Sequence, residues 1–436
     1  MLTIALAIVL AVMDQVIVSV ALPTIARELH ASAAQSIWAV NAYQLTVVVA
    51  LLPLAALGDK LGYRRVFLFG LALFTLASVL CALSRNLPEL VAARVLQGLG
   101  AAVLMAINPA LVRFTYPRSL LGRGVGLNAV MVSMSNAAAP SVAAAILAHA
   151  SWKWLFAVNV PIGLLAFVIA GRALPRTPGS GKPLDWISAI LNGLTFGLLI
   201  LGAGRVAAGG GSSGWVMLVI GAAAAAALVG RELGRPAPLF PIDLLRIPLF
   251  GLSAAASAIA FCALALPLIA MPFFIQDVLG RSAVETGLMM TPWPLALAFA
   301  SAFSGRLADR YPAGLLGGAG LAIMAVGLAC ASTLRVGATD LDIIWRLALC
   351  GLGFGLFQAP NNRAMIASAP LSRSGAAGGM LATARLIGQT SGAVITGVVF
   401  HVAGVGAAGT AMLIAAGIAL TASVVSTLRI RMPAGA

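Results

Sequence analysis

Charge is what this sequence has least of. Only 9% of its 436 residues are Asp, Glu, Lys or Arg, while 61% are hydrophobic, and the core of a soluble domain cannot absorb that much apolar side chain. Acids are scarcer still, 12 against 27 Lys and Arg, for a net charge of +15. Those basic residues are scattered in ones, twos and threes between apolar runs, so they form no stripe that could follow a nucleic acid backbone. The four cysteines, Cys81, Cys262, Cys330 and Cys350, sit in apolar stretches without CxxC or His pairing, and read as packing residues. His30, His149 and His401 are far apart in sequence and give no metal or catalytic cluster. There is no GxxxxGK[ST] phosphate loop, so the chain encodes no ATP motor. GLGFGLF at 351–357 follows no strand pattern and reads as close helix packing. Neither an enzyme nor a bound cofactor or metal is expected.

Long apolar runs are what the chain does have. A helix needs about 20 apolar residues to cross ~30 Å of hydrocarbon, and breaks in hydropathy place spans near 2–24, 35–57, 66–84, 89–112, 124–148, 153–172, 185–205, 213–230, 250–275, 285–304, 313–332, 341–365, 374–402 and 407–428. That predicts fourteen transmembrane helices in an all-α integral membrane protein, because a bilayer offers lipid-facing backbone groups no partner outside a helix or closed barrel. The first run has no basic n-region and no small-residue cleavage site, so it reads as a retained span. With both termini in the cytoplasm, 18 Lys and Arg fall on the cytoplasmic side, 6 on the other and 3 inside spans, accounting for all 27. That is the positive-inside bias of an inner-membrane protein.

An internal repeat organises the spans. LAALGDKLGYRR follows the second and SGRLADRYPAG the tenth, which puts Asp59 and Asp309 250 residues apart. Two six-helix halves, 1–173 and 235–436, then flank a segment, 174–234, holding a linker and two inserted helices. Pro/Gly-rich loops at 174–183 and 235–248 mark its edges.

The loop Ala55 to Arg65, AALGDKLGYRR, resembles the GxLxDRxGRR element of the major facilitator superfamily through Leu57, Asp59, Lys60, Gly62, Arg64 and Arg65. Its second copy keeps Gly305, Leu307, Asp309 and Arg310, with Pro312 in place of the glycine. LVAARVLQGLGAA in the fourth span is similar to the family's RxxQGxGAA element through Arg94, Gln97, Gly98 and Gly100, and MDQVIVSVALP in the first is similar to LDxTVVNVALP. SNAAAPSVAAA keeps Pro140 of the antiporter element GxxxGPxxGG but has Ser135, Ala139, Ala143 and Ala144 for its glycines. The plan looks like the fourteen-helix drug:proton antiporter branch of that superfamily. This resemblance implies a monomeric, proton-coupled exporter of hydrophobic, often cationic, compounds working by alternating access, with protons, small molecules and the lipid bilayer as its partners. A dedicated metabolite exporter or proton symporter of the same fold, or a non-transporting sensor, stays open.

Three sets of residues follow. Asp14 is the one acid deep in a span, and Arg94 lies about two turns inside another. Lone charges in the membrane interior are costly unless they protonate or pair, which makes these two the expected proton-coupling site, with Asp14 exchanging between Arg94 and a cationic substrate. Asp59, Lys60, Gly62, Arg64, Arg65, Asp309 and Arg310 are the expected conformational latch, Gly62 serving the turn. Asn41, Tyr43, Gln44, Asn108, Trp293, Phe357, Gln358 and Asn361 are the expected cavity lining. Arg346 and Arg385 also lie in apolar sequence, without an assignable role.

Overall fold

The computed structural model describes residues 2–115, 121–175, 185–207, 211–233, 240–308, 310–370 and 373–431, together with 209, 235 and 238. Among these residues every regular element is helical. In order they are α1 (Leu2–Glu28), α2 (Ala33–Ser36), α3 (Trp38–Leu61), α4 (Tyr63–Leu83), α5 (Leu87–Thr115), α6 (Leu121–His149), α7 (Trp154–Ala157), α8 (Asn159–Ala173), α9 (Trp186–Ala207) and α10 (Gly211–Glu232). They continue as α11 (Ile242–Leu245), α12 (Pro248–Phe273), α13 (Ala283–Met290), α14 (Pro292–Leu307), α15 (Ala313–Ser332), α16 (Asp340–Ser368), α17 (Ser374–Ala403) and α18 (Ala408–Leu428).

Eleven stretches among the described residues are long and apolar enough to cross a membrane, against the fourteen spans expected. The other three expected spans are helical but fall short for separate reasons. In α6 the side chains of 121–130 lie outside the described set. The span at 285–304 is broken between α13 and α14, where Pro292 cannot donate to the preceding turn and leaves a 16-residue helix. α16 is a 29-residue helix with Asp340 and Asp342 in its first turn and Arg346 and Arg363 further along. Large apolar side chains such as Phe69, Leu76, Val219, Phe299 and Leu413 stand exposed on outer faces, where only lipid is a good solvent for them.

The packing has a repeat. α3 lies along α5, α4 along α5 and α8, and α1 along α6 and α8. Later in the chain α14 lies along α16, α15 along α16 and α18, and α12 along α17 and α18. The two sets meet through α1 with α12, α3 with α17, and α6 with α13 and α14. α9 rests on α3 and α17 from outside, and α10 packs chiefly on α9. Asn192 of α9 donates to the Val49 carbonyl of α3 at 3.0 Å, while Asp185, Arg231 and Arg235 tie the ends of α9 and α10 together. Burial pushes the Asp185 carboxyl up, but bonds from Ser188, Arg235 and Arg231 outweigh it and hold Asp185 well below the usual carboxylate range.

Small residues set the helix spacing. Gly98 faces α3, where an added Cβ would come 2.7 Å from the Tyr43 carbonyl oxygen, and Gly100 faces α4, 2.6 Å from the Phe74 nitrogen. In the GLGFGLF run, Gly351 and Gly355 share a face against Trp293 and Leu297 of α14, while Gly353 meets the backbone of Gly320 and Met324 of α15. Gly353→Ala should therefore push α15 and α16 apart and lower stability by about 1–3 kcal/mol, whereas Gly417→Ala, with open space around it, should be neutral. Thermal unfolding of the two purified variants checks this, and equal midpoints would contradict it.

Candidate functional site

The membrane interior of the first helix set holds a closed polar cluster. α1 is apolar along nearly its whole length, and Asp14 faces α5 and α8 with its side chain fully buried. α5 presents Arg94 and Gln97 three residues apart, hence on one face. Arg94 Nη1 pairs with Asp14 Oδ2 and donates to Gln97 Oε1 at 2.5 Å. Asp14 Oδ1 accepts from Gln97 Nε2 at 3.0 Å and from Asn159 Nδ2 of α8 at 2.9 Å. Gln97 Nε2 also reaches Ser78 Oγ of α4 at 2.9 Å, and Arg94 Nε donates to the Ala39 carbonyl of α3 at 2.8 Å. The guanidinium lies 4.2 Å from the Tyr43 ring centroid, and Tyr43 anchors its hydroxyl on the Ala11 carbonyl at 2.9 Å. Five helices therefore converge on one ion pair, whose desolvation is offset by these bonds, with Arg94 Nη2 the one guanidinium nitrogen left without a hydrogen-bond partner.

Between the two helix sets lies a cavity that encloses about 1060 Å³, its open mouth included. Of the residues expected to line it, Gln44, Trp293 and Gln358 do, and Pro140 joins them. The others point elsewhere. Tyr43 stacks under Arg94. Asn361 binds Arg429 Nη1 at 2.5 Å and the Ser253 carbonyl at 3.3 Å. Phe357 is buried against Phe354 and α15, and Asn41 and Asn108 are buried outside the cavity lining. Asp14 does not line it either, its carboxylate being taken up by Arg94, Gln97 and Asn159. Gln15, Asn136, Arg385 and Gln389 are cavity residues to which sequence reasoning gave no such role. Gln15 carries a signal in hindsight, since it sits beside Asp14 in an apolar run.

At the end of the bundle bearing Arg27 the helix sets are joined. Arg27 pairs with Asp277 at 3.7 Å and Thr24 donates to Gln276 at 3.3 Å, while Gln276 reaches the Val20 carbonyl at 3.2 Å. Deeper in, Gln15 Nε2 donates to Gln389 Oε1 at 3.0 Å, and Ser141 meets Thr291 at 2.8 Å. Pro140 and Ala144 of α6 press on Gly287 of α13, so the alanine-rich segment supports a tight crossing without its glycines. At the other end, Gly62 turns the chain between α3 and α4 at φ 91°. Tyr63 donates its hydroxyl to Asp59, and Arg64 reaches the Gly171 carbonyl at the end of α8. Lys60 is half-buried, and Arg65 and Arg310 are exposed; Asp309 lies outside the described residues.

Comparison with known proteins places this architecture. The model of the Major Facilitator Superfamily matches residues 4–393, and again 252–435. The chain belongs to the major facilitator superfamily. It is 49% identical to the uncharacterized transporter YebQ of Escherichia coli (strain K12), over 99% of this chain and 95% of that protein. It is 31% identical to the multidrug efflux pump LfrA of Mycolicibacterium smegmatis, over 91% of this chain and 79% of that one. A crystal structure of an auto-inhibited POT family peptide transporter superposes with a TM-score of 0.73 at 15% identity, covering 100% of this chain and 98% of that one, a likeness of fold. This superfamily membership makes the protein a multi-pass membrane transporter acting on small molecules rather than an enzyme.

Because Arg94 is enclosed with its one counter-ion, Asp14→Leu should cost about 3–5 kcal/mol of stability. The double variant Asp14→Leu with Arg94→Met should recover most of that loss, since no charge is then left buried alone. A thermal-unfolding double-mutant cycle measures it, and additive losses would contradict the pairing.

Proposed function

We propose that this protein is a proton-driven antiporter that exports hydrophobic compounds across the inner membrane. It works as a monomer of fourteen spans with both termini cytoplasmic, and residues 1–173 and 235–436 form two halves that rock around the central cavity. The observation that carries the proposal is the adjacency of Asp14 and Gln15 on α1. One side chain binds α1 into its own half through Arg94, and the next reaches across the cavity to Gln389. Protonating Asp14 removes the charge that holds Arg94, Gln97 and Asn159 in place, and α1 is then free to shift against α5 and α8. That shift moves Gln15, and with it the cavity wall and the cross-half bond. Coupling is thus indirect, from a carboxyl in the half to the cavity surface one residue along.

The likeness to LfrA, a multidrug efflux pump, supports export of hydrophobic compounds, as does a cavity whose wall is aromatic and aliphatic with a few amides. α9 and α10, lying outside both sets, are peripheral in this scheme. The loop around Asp59 acts as the latch, timing exchange between states through Tyr63 and the Arg64 link to α8.

In proteoliposomes with an imposed pH gradient, wild-type protein should accumulate members of a panel of anionic, neutral and cationic hydrophobic fluorophores. Asp14→Asn, fixed in the uncharged form, should bind them while losing gradient-driven accumulation. Accumulation at the wild-type rate and pH dependence would overturn the coupling role. Asp59→Asn should insert normally yet turn over about tenfold more slowly, the kinetic equivalent of one charge-assisted hydrogen bond. Unchanged turnover at equal membrane levels would count against the latch.

A further inference from the structure

The charged group in the cavity wall is a cation. Arg385 of α17 lines the space, with its guanidinium carbon 5.3 Å from the Phe261 ring centroid. Its Nε makes no hydrogen bond, and among the described residues no carboxylate pairs with it. Among the described residues the lining contains no Asp or Glu. Asp14 is held by Arg94, and the other described acids stand at helix ends or in loops. Trp293, also in the wall, has an indole N–H with no acceptor. Both side chains can only donate. The neighbouring polar groups, Gln15, Gln44, Gln358 and Gln389, are neutral amides.

An arginine in the membrane interior is costly and calls for a partner. Here cation–π contact with Phe261 meets part of that demand, and the half-buried Arg385 lines a cavity of aromatic and aliphatic side chains. A cationic compound would enter against the Arg385 charge with no carboxylate to receive it. A planar apolar body carrying one carboxylate would place the ring against Phe261, Phe354 and Trp293 and its anion on the guanidinium.

We propose that the compounds exported are amphipathic weak acids, bound through Arg385 as their carboxylate anions. This deepens the export proposal and rests on it, and it reverses the charge expected from the family resemblance. Weak acids of this kind cross bilayers uncharged and ionise on the more alkaline side, so a cytoplasm more alkaline than the exterior traps them, and an exporter is the means of clearing them.

Three compounds sharing one fluorophore test it: pyrenebutyric acid, its methyl ester, and a pyrenebutyl trimethylammonium salt. Binding to the whole protein in lipid nanodiscs is read by fluorescence anisotropy against empty nanodiscs. The acid should bind at least about tenfold more tightly than the ester or the cation, the strength of one charge-assisted hydrogen bond. Arg385→Gln should erase the difference between acid and ester, and Arg385→Lys should retain it. A cation bound as tightly as the acid, a preference that survives Arg385→Gln, or no binding of the acid would each overturn the proposal. Gradient-driven uptake of the same three compounds into proteoliposomes separates the two ideas. If the ester or cation is accumulated as well as the acid, the charge assignment falls and export stands. If none is accumulated, export itself falls.

Discussion

A carboxylate and a guanidinium cannot be left apart in the interior of a membrane. Asp14 and Arg94 are both fully enclosed, and the bonds around them recruit α1, α3, α4, α5 and α8 to a single point. Each of those helices is apolar over most of its surface and would otherwise have little to fix its rotation about its own axis. In lipid, apolar faces gain nothing by choosing protein over hydrocarbon, so close packing and a few polar bonds set the register. Gly98 and Gly100 let α3 and α4 approach α5, and Arg94 and Gln97 then determine which faces meet.

That arrangement gives α1 two allegiances. Asp14 commits it to the first half, while Gln15, Thr24 and Arg27 commit it to helices of the second. α12, which contains no Asp or Glu, has no matching carboxyl. Among the described residues the two helix sets therefore share a packing pattern without sharing a buried carboxyl-centred cluster. In the proposed cycle the first half supplies the proton-sensitive element, and the second, through Arg385 and Trp293, supplies the groups that meet the cargo.

The helices were legible because a bilayer permits almost nothing else, and long apolar runs with charged or Gly/Pro breaks mark them directly. Asp14 and Arg94 were legible for a related reason: a charge inside an apolar run stands out, and its cost demands a partner. Where neighbouring residues point was not legible. Tyr43 and Gln44 are adjacent, yet one lies under Arg94 and the other lines the cavity. Phe357 and Gln358 divide in the same way. Helices apolar on every side have no amphipathic stripe to show which face turns inward, so amides three or four residues apart could not be sorted. Arg385 was visible as an oddity, but its setting depends on Phe261 from a helix more than a hundred residues away. The division of α13 from α14 at Pro292 followed from proline chemistry, and it shortened a span that hydropathy read as continuous.

The central claim is that the charge on Asp14 biases which end of the bundle is open. Spin labels at Glu28 and Val336, both exposed near the joined end and in different halves, would report on it through double electron–electron resonance in lipid. The distance distribution should move between two populations as pH is lowered. Asp14→Asn should hold the low-pH population at every pH. Distributions that respond to pH identically in wild-type and Asp14→Asn protein would contradict the claim.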